Sequence, residues 1–481
     1  MPESTFDVIV IGAGSTGENV AARAVKGGLS AVVVESGLVG GECSYVACMP
    51  SKALLRSNAV LEAARRVGGA REAVKGSLDV PAVLARRTYF TKGWKDDSQV
   101  QWLAKTGITL VRGHGRIAGE RKVEVASPGG SSAVLSARHA VAICTGSDPA
   151  LPPIPGLAEA KPWTNREATR TDRVPQRLAI LGGGPVACEM ATAFGSFGSA
   201  VTVFERAERL LGRMEPFVGD QLARAMKERG IDVRVGANVT RAERAARGSV
   251  SISFDQAGAS GDGWIEADEI LVAVGRTART SDIGLDRIGL KPGEWLNVDD
   301  TCRVNAVAGG WLYAAGDVNH RTLLTHMGKY QGRACGDAIV ARAKGELETS
   351  APDWSRWSAT ADHRAVPEVV FTDPEIASVG LTEEQARQHG FNVRAAEYEI
   401  GSVAGAGLTA DGYSGHAKMV VDESRSVIVG VTFIGQDVGE LIHAGTVAVA
   451  GEVPLQRLWH AVPSYPTTSE IWLRLLEAYG L

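Results

Sequence analysis

The segment GGECSYVACMPSK, residues 40–52, holds two of the chain's six cysteines, Cys43 and Cys48, with four residues between them. Thiols so spaced suit a disulfide, a pair of metal ligands or plain packing. On a regular helix, residues five apart lie roughly 8–9 Å apart at Cα, whereas a disulfide needs less than about 7 Å. The oxidised pair therefore requires a break in any helix that carries it. Pro50 supplies one cause of distortion, because it cannot donate to the carbonyl of Val46. A small, locally strained bridge is easily reduced, which suits an electron relay better than a staple. Zinc would need two further ligands, and no nearby Cys or His completes the set. Cys144, Cys188, Cys302 and Cys335 lie in apolar or small-residue contexts and read as inert core thiols.

A relay must be filled and drained, and the chain carries one phosphate-binding design twice. The strand DVIVIGAGSTG gives Gly12, Gly14 and Gly17, followed by a helix-compatible run and the strand AVVVES, with Glu35 at its end. RLAILGGGPVACE gives Gly182, Gly184 and Ala187, followed by AVTVFER and Glu205. The interval from first glycine to acid is the same in both. The first glycine permits the tight strand-to-helix turn, and the second lets backbone N–H groups reach a pyrophosphate at a helix N-terminus. The third small residue lets helix pack on sheet, and the acid can accept a ribose hydroxyl. One such pattern is weak evidence; two, each led by a strand and closed by an acid, are strong. Two dinucleotides are expected, and a redox enzyme holding both usually pairs a flavin with a nicotinamide. Pro185 sits where a helix's first turn tolerates a missing N–H. Glu205 favours NADH because its charge repels the 2′-phosphate of NADPH. Arg206 and Arg209 follow closely and could offset that, so NADPH stays open.

At 481 residues the chain is too long for one core, and about three domains are expected. Its charged fraction of 22% and net charge of -4 provide no basic field for nucleic acid or membrane. The N-terminal apolar run lacks a preceding positive segment and is soon broken by glycines, which argues against a signal peptide. No stretch approaches the ~18 apolar residues of a membrane span. The expectation is a cytoplasmic protein. In that setting paired cysteines are more often catalytic or metal-binding than structural.

GGECSYVACMPSKALL resembles the redox-active segment of the class I pyridine nucleotide-disulfide oxidoreductases, which include dihydrolipoamide dehydrogenase, glutathione reductase and mercuric reductase. The likeness runs almost the whole chain through AICTGSDPALPPIPG, AVGRTART, WLYAAGDVN and VPEVVFTDPEIASVGLTEEQA. It implies an α/β fold: two Rossmann-like FAD- and NAD(P)-binding domains plus a C-terminal α+β dimerisation domain. The implied FAD domain takes 1–152 and 278–349, the NAD(P) domain 153–277 and the dimerisation domain 350–481, in a homodimer. The Pro-rich DPALPPIPG is the stiff crossover such a boundary needs.

By the same resemblance Gly12, Gly14 and Gly17 frame the FAD pyrophosphate and Glu35 binds its ribose. Gly115, Thr145, Gly146, Asp317 and Thr325 fall at further flavin positions. Gly182, Gly184, Ala187, Glu205, Arg206 and Gly275 belong to the nicotinamide side. Cys48 corresponds to the flavin-side thiol and Cys43 to the thiol that meets the acceptor. Lys52 matches the lysine beside the flavin N5, and Glu189 its ion-pair partner. The activity implied is NAD(P)H-driven reduction, through FAD and Cys43–Cys48, of a disulfide or another soft small-molecule electrophile. No resident metal is expected.

One motif departs from the pattern. The dithiol reductases end close to HPTxSE, with a histidine acid/base contributed across the dimer; here the run is YPTTSE. Glu470 fits, but Tyr465 stands at the histidine position. A histidine near pKa 6.5 exchanges a proton at pH 7, whereas a phenol near pKa 10 normally does not. Efficient lipoamide or glutathione chemistry is therefore in question, with His460 a substitute five residues upstream. Soluble transhydrogenases also carry tyrosine here but resemble proteins without the second cysteine. Mercuric reductases carry it too, with a C-terminal cysteine pair that LLEAYGL lacks. A flavin-only diaphorase or transhydrogenase, a metal-ion or quinone reductase and a non-catalytic redox sensor are the rival readings.

Overall fold

The computed structural model describes residues 4–246, 248–256 and 263–481. The chain divides into two compact units. One takes the chain up to Pro50 with Thr88–Pro149 and Gly275–His363; the other takes Ser51–Arg87, Ala150–Val274 and Arg364–Leu481.

The first unit is built on β1 (Ser4–Ile11), α1 (Ser15–Lys26) and β2 (Ala31–Glu35). Val8–Ile11 are at most 4% exposed, as an apolar run covered on both faces must be. β1 pairs in parallel with β2 and with β6 (Ser132–Ile143), and β3 (Thr109–Arg112) extends the sheet beyond β2. β5 (Lys122–Ala126) and β4 (His114–Gly119) add an antiparallel edge, giving the order β3-β2-β1-β6-β5-β4. The chain returns to the same sheet much later, when Leu312–Ala314 pairs in parallel with β6. The long helix Thr325–Ala343 then lies along α1. Added Cβ atoms on Gly328 and Gly332 would sit 2.5 and 2.6 Å from atoms of Thr16, so only glycine permits this approach.

α2 (Gly41–Tyr45) and α3 (Cys48–Arg65) follow β2, and the break between them falls at Val46, with φ −139° and ψ 2°. The expected interruption between the cysteines is present, and it falls at Val46, the residue whose carbonyl Pro50 cannot serve. Pro50 lies in the first turn of α3, where a missing N–H leaves no hydrogen bond unmade. The proline thus favours starting a helix rather than bending one.

The second unit holds a four-stranded parallel sheet in the order Asp232–Val235, Ala200–Glu205, Arg177–Leu181, Glu269–Val272. The helix Pro185–Ser196 covers it and buries Cys188, Met190 and Phe194. A five-stranded antiparallel sheet is formed by residues from Pro367 to Gly435. Its Val370, Ile376 and Ile434 join Leu178, Phe194 and Leu222 in one apolar cluster, so the two sheets share a core. No helix among the described residues is long and apolar enough to cross a membrane.

Candidate active site

In the first unit the C-terminal ends of β1, β2 and β6 open onto a cavity with roughly 1020 Å³ of open space, mouth included. Gly12, Gly14, Glu35, Gly115, Thr145, Gly146, Asp317 and Thr325 all line it, as does Cys43. Gly12 has φ +101°, and a Cβ there would lie 2.4 Å from the carbonyl oxygen of Cys144. A Cβ on Gly17 would meet the Gly12 oxygen at 1.9 Å; Gly17 serves the helix–strand contact and is absent from the cavity wall. Around Gly14 the nearest neighbour of a Cβ is 3.9 Å away, so the N-terminus of α1 stays open to an anion. Glu35 Oε2 accepts from the Ala13 N–H at 2.7 Å and Oε1 from the Gly37 N–H at 2.7 Å. An open helix N-terminus, a strand-end acid and Asp317 on one wall fit a flavin dinucleotide.

The thiols meet at this wall. Cys48 Sγ lies 3.1 Å from Thr325 Oγ1. Cys43 hydrogen-bonds Cys48, and that contact, followed by burial, pushes the Cys43 thiol well above its ordinary value, with Lys329 opposing. Of the other cysteines, Cys188, Cys302 and Cys335 are fully buried and Cys144 is 7% exposed. Burial raises the thiol pKa of Cys144, Cys188 and Cys335, which keeps them protonated and unreactive.

In the second unit the other glycine turn repeats the first. Gly182 has φ +108°, and its Cβ would lie 2.4 Å from the Ala273 oxygen. Gly184 caps the helix Pro185–Ser196, Pro185 takes its first position, and Ala187 is fully buried. Glu205 Oε1 accepts from the Ala207 N–H at 2.6 Å, while Arg206 is exposed. Lys52, one turn along α3 from Cys48, reaches both oxygens of Glu189, at 2.8 and 3.0 Å. Glu189 Oε1 also accepts from the Phe371 N–H at 3.1 Å, and Lys52 Nζ stands 4.9 Å from the Phe371 ring centroid. Gly275, with φ +147°, opens the last segment of the first unit.

The C-terminal pair is not assembled within the chain. Tyr465 is 76% exposed, and among the described residues no hydrogen bond joins it to Glu470. Glu470 is buried, reaches Arg474 at 3.4 Å and leaves Oε2 without a partner. His460 is exposed.

Several residues escape a reading by motif. Phe371 supports Lys52 and Glu189 across long sequence gaps. Ser147, Arg276, Arg279 and Glu42 line the cavity as a charge network. The signal available was Glu42 itself, an acid set between two glycines and a thiol.

This chain belongs to the pyridine nucleotide-disulphide oxidoreductase family, a family of FAD-binding, NAD(P)H-using enzymes: residues 6–332 match the family and residues 366–475 its dimerisation domain. A dihydrolipoyl dehydrogenase of Thermus scotoductus is 32% identical over 477 residues, covering 98% of this chain and 97% of that protein. A mercuric reductase of Staphylococcus aureus is 28% identical over 97% of this chain and 81% of its own length. Among solved structures, the HOCl-induced flavoprotein disulfide reductase RclA of Escherichia coli, in its Cu(II) complex, superposes with a TM-score of 0.82. That match has 23% identity and covers 99% of each chain. The chain is thus a flavin-dependent oxidoreductase of the disulfide type, and the dimerisation domain supports a homodimer.

Proposed function

We propose that the chain takes reducing equivalents from NADH, with NADPH the weaker donor, and delivers them through Cys43 and Cys48 to a soft electrophile. On this reading FAD would occupy 1–152 with 278–349, the nicotinamide 153–277, and 350–481 would form the dimer interface. Bound FAD would supply the two-electron link between nicotinamide and thiols. Gly12, Gly14 and Glu35 would hold its dinucleotide, and Asp317 its ribityl chain. Lys52, fixed by Glu189 and Phe371, would hold positive charge where electron density accumulates.

The observation that carries the reading is the contact of the two thiols at the cavity wall, with Thr325 against Cys48. The resemblance of the segment supports the flavin-side role for Cys48 and the outgoing role for Cys43, and Thr325 Oγ1 stands 3.1 Å from Cys48 Sγ as a hydrogen-bond partner for that sulfur. An acceptor that needs no proton donor fits best, because the position that carries histidine in the dithiol reductases is an exposed tyrosine. A soft metal ion, and a disulfide whose activated leaving group departs as a weakly basic thiolate, meet that requirement. Organic disulfides that release a basic thiolate do not.

The test is an acceptor panel under NADH and NADPH with wild type, Cys43→Ser and Tyr465→His. Cys43→Ser should keep bound flavin and lose about a hundredfold or more of the turnover of thiol-dependent acceptors. Tyr465→His should raise lipoamide or glutathione disulfide turnover by about tenfold or more. Undiminished turnover of every acceptor in Cys43→Ser would instead establish a flavin-only diaphorase. Wild-type preference for lipoamide would refute the reading of position 465.

A further inference from the structure

Glu42 immediately precedes Cys43, and its side chain lines the cavity. Arg276 Nη2 binds Glu42 Oε2 at 2.7 Å and Arg279 Nη2 binds Oε1 at 2.9 Å, so each oxygen is held by a different guanidinium. The carboxylate is 19% exposed, and the two arginines 22% and 37%. Arg276 also donates from Nε to Ser147 Oγ, at 2.5 Å, and from Nη2 to the Ser147 carbonyl, at 2.7 Å. Ser147 Oγ reaches Asp317 Oδ2 at 2.6 Å. Arg279 additionally pairs with Asp148, and that partner, followed by Glu42, raises its pKa against the pull of burial. The thiol segment, the loop after β6, the strand Arg276–Ala278 and Asp317 are thereby tied into one network on one wall.

We propose that Glu42 is a positioning residue for the reaction: gripped by Arg276 and Arg279, it anchors the Cys43 end of α2 and cancels guanidinium charge beside the flavin. The inference rests on the proposed function. Glu42, Asp148 and Asp317 set three carboxylates against the two guanidiniums of Arg276 and Arg279. Two-electron reduction makes a neutral flavin anionic, so each charge in this wall biases the equilibrium. Partial burial keeps that bias from being screened as a surface pair would be. Removing Glu42 leaves the wall more positive and favours the reduced form; removing Arg279 does the reverse. A plain surface ion pair would move neither equilibrium.

The experiment is a dye-coupled redox titration of the flavin-loaded full chain, wild type beside Glu42→Gln, Arg279→Gln and the double variant. Glu42→Gln keeps the side-chain shape and removes only the charge. It should shift the flavin reduction equilibrium tenfold or more toward the reduced form, about 30 mV upward for a two-electron couple. Arg279→Gln should shift it the opposite way, and the double variant should return within about threefold of wild type. A second readout needs no flavin: alkylation of Cys43 in the Glu42→Gln apoprotein should be severalfold faster as the segment loosens. Unmoved potentials, or both single variants moving in one direction, overturn the inference. A wild-type chain that takes up no flavin defeats the proposed function and this inference together. A wild type that titrates normally beside unmoved variants defeats this inference alone.

Discussion

The two glycine folds use the same backbone and are finished differently. At Gly12 and Gly182 the strain is almost identical: φ +101° and +108°, each with a forbidden Cβ 2.4 Å from a carbonyl oxygen. What differs is the later chain. Around the first fold it comes back twice, as Leu312–Ala314 in the sheet and as Thr325–Ala343 along α1, and it adds Asp317 and Thr325 to the wall. Among the described residues the second fold receives no such strand; beyond Glu269–Val272 its edge is met by a bridge from Trp163, and Arg206 beside its acid is exposed. A dinucleotide surrounded by returning chain is suited to permanent residence, and one at an open rim to exchange. On the proposed reading the turn would recognise a pyrophosphate in both folds, and the enclosure would decide whether the ligand is a prosthetic group or a substrate.

One substitution made in both folds tests this directly and carries the largest expected effect. Gly12→Ala and Gly182→Ala meet equal steric cost in the folded chain. Gly12→Ala should purify colourless, having lost its flavin. Gly182→Ala should remain yellow, with the KM for NADH raised about tenfold or more and its flavin still reducible by dithionite. If both retain flavin, or both lose it, the division into resident and exchanging sites fails.

Motifs are visible in a sequence when their parts are close together, and this chain shows where that ends. Gly12 to Glu35, Gly182 to Glu205 and Cys43 to Cys48 are local patterns governed by local sterics, and they were legible from the spacing. So was the pairing of Lys52 with Glu189, though only through resemblance to a family. Phe371, whose N–H and ring complete that pair, belongs to a strand region with no local signature of contact. Glu42 meets Arg276 and Arg279 only after the chain has built a whole second fold between them. The break at Val46 was expected from disulfide geometry and from Pro50, whose missing N–H points back to that residue; that Pro50 would itself open the first turn of α3 was not legible, because it depends on where the helix starts. The acids at the strand ends were legible in the sequence as candidates for ribose contact, whereas their bonds to Ala13, Gly37 and Ala207 depend on turns that only the fold defines.

The strand-end acids sharpen the comparison with a smaller effect. Glu205 sits by an exposed Arg206, so charge alone should set the nicotinamide preference there. Glu205→Gln keeps an acceptor for the Ala207 N–H and removes the repulsion. The ratio of kcat/KM for NADPH over NADH should rise about tenfold, equivalent to roughly 1.4 kcal/mol. An unchanged ratio would mean that the rim, despite its exposure, reads the cofactor elsewhere.

The smallest effect concerns one matched position inside the folds. Glu18 follows Gly17 as Cys188 follows Ala187, so the first helix carries a half-buried carboxyl where the second buries a thiol. Cys188 finds the Gly183 carbonyl at 3.4 Å, whereas Glu18 Oε1 is buried without a hydrogen-bond partner. Burial pushes Glu18 up to about 7 against the attraction of Lys329, with Glu35 adding to the rise. The helix N-terminus favours the anion by only about 0.3–1 kcal/mol, so desolvation wins. Below pH 4.5 the folded and unfolded chains both hold this proton. Between 4.5 and 7 only the folded chain does, and stability falls as pH rises; the loss is complete above 7, on the order of 3 kcal/mol. Glu18→Gln has no proton to lose, so its Tm should gain a few degrees on wild type across that window, with the difference steady on either side. Parallel Tm curves from pH 4.5 to 8 would show that the carboxyl finds solvent or Lys329 after all, and that the two helices differ at this position in composition alone.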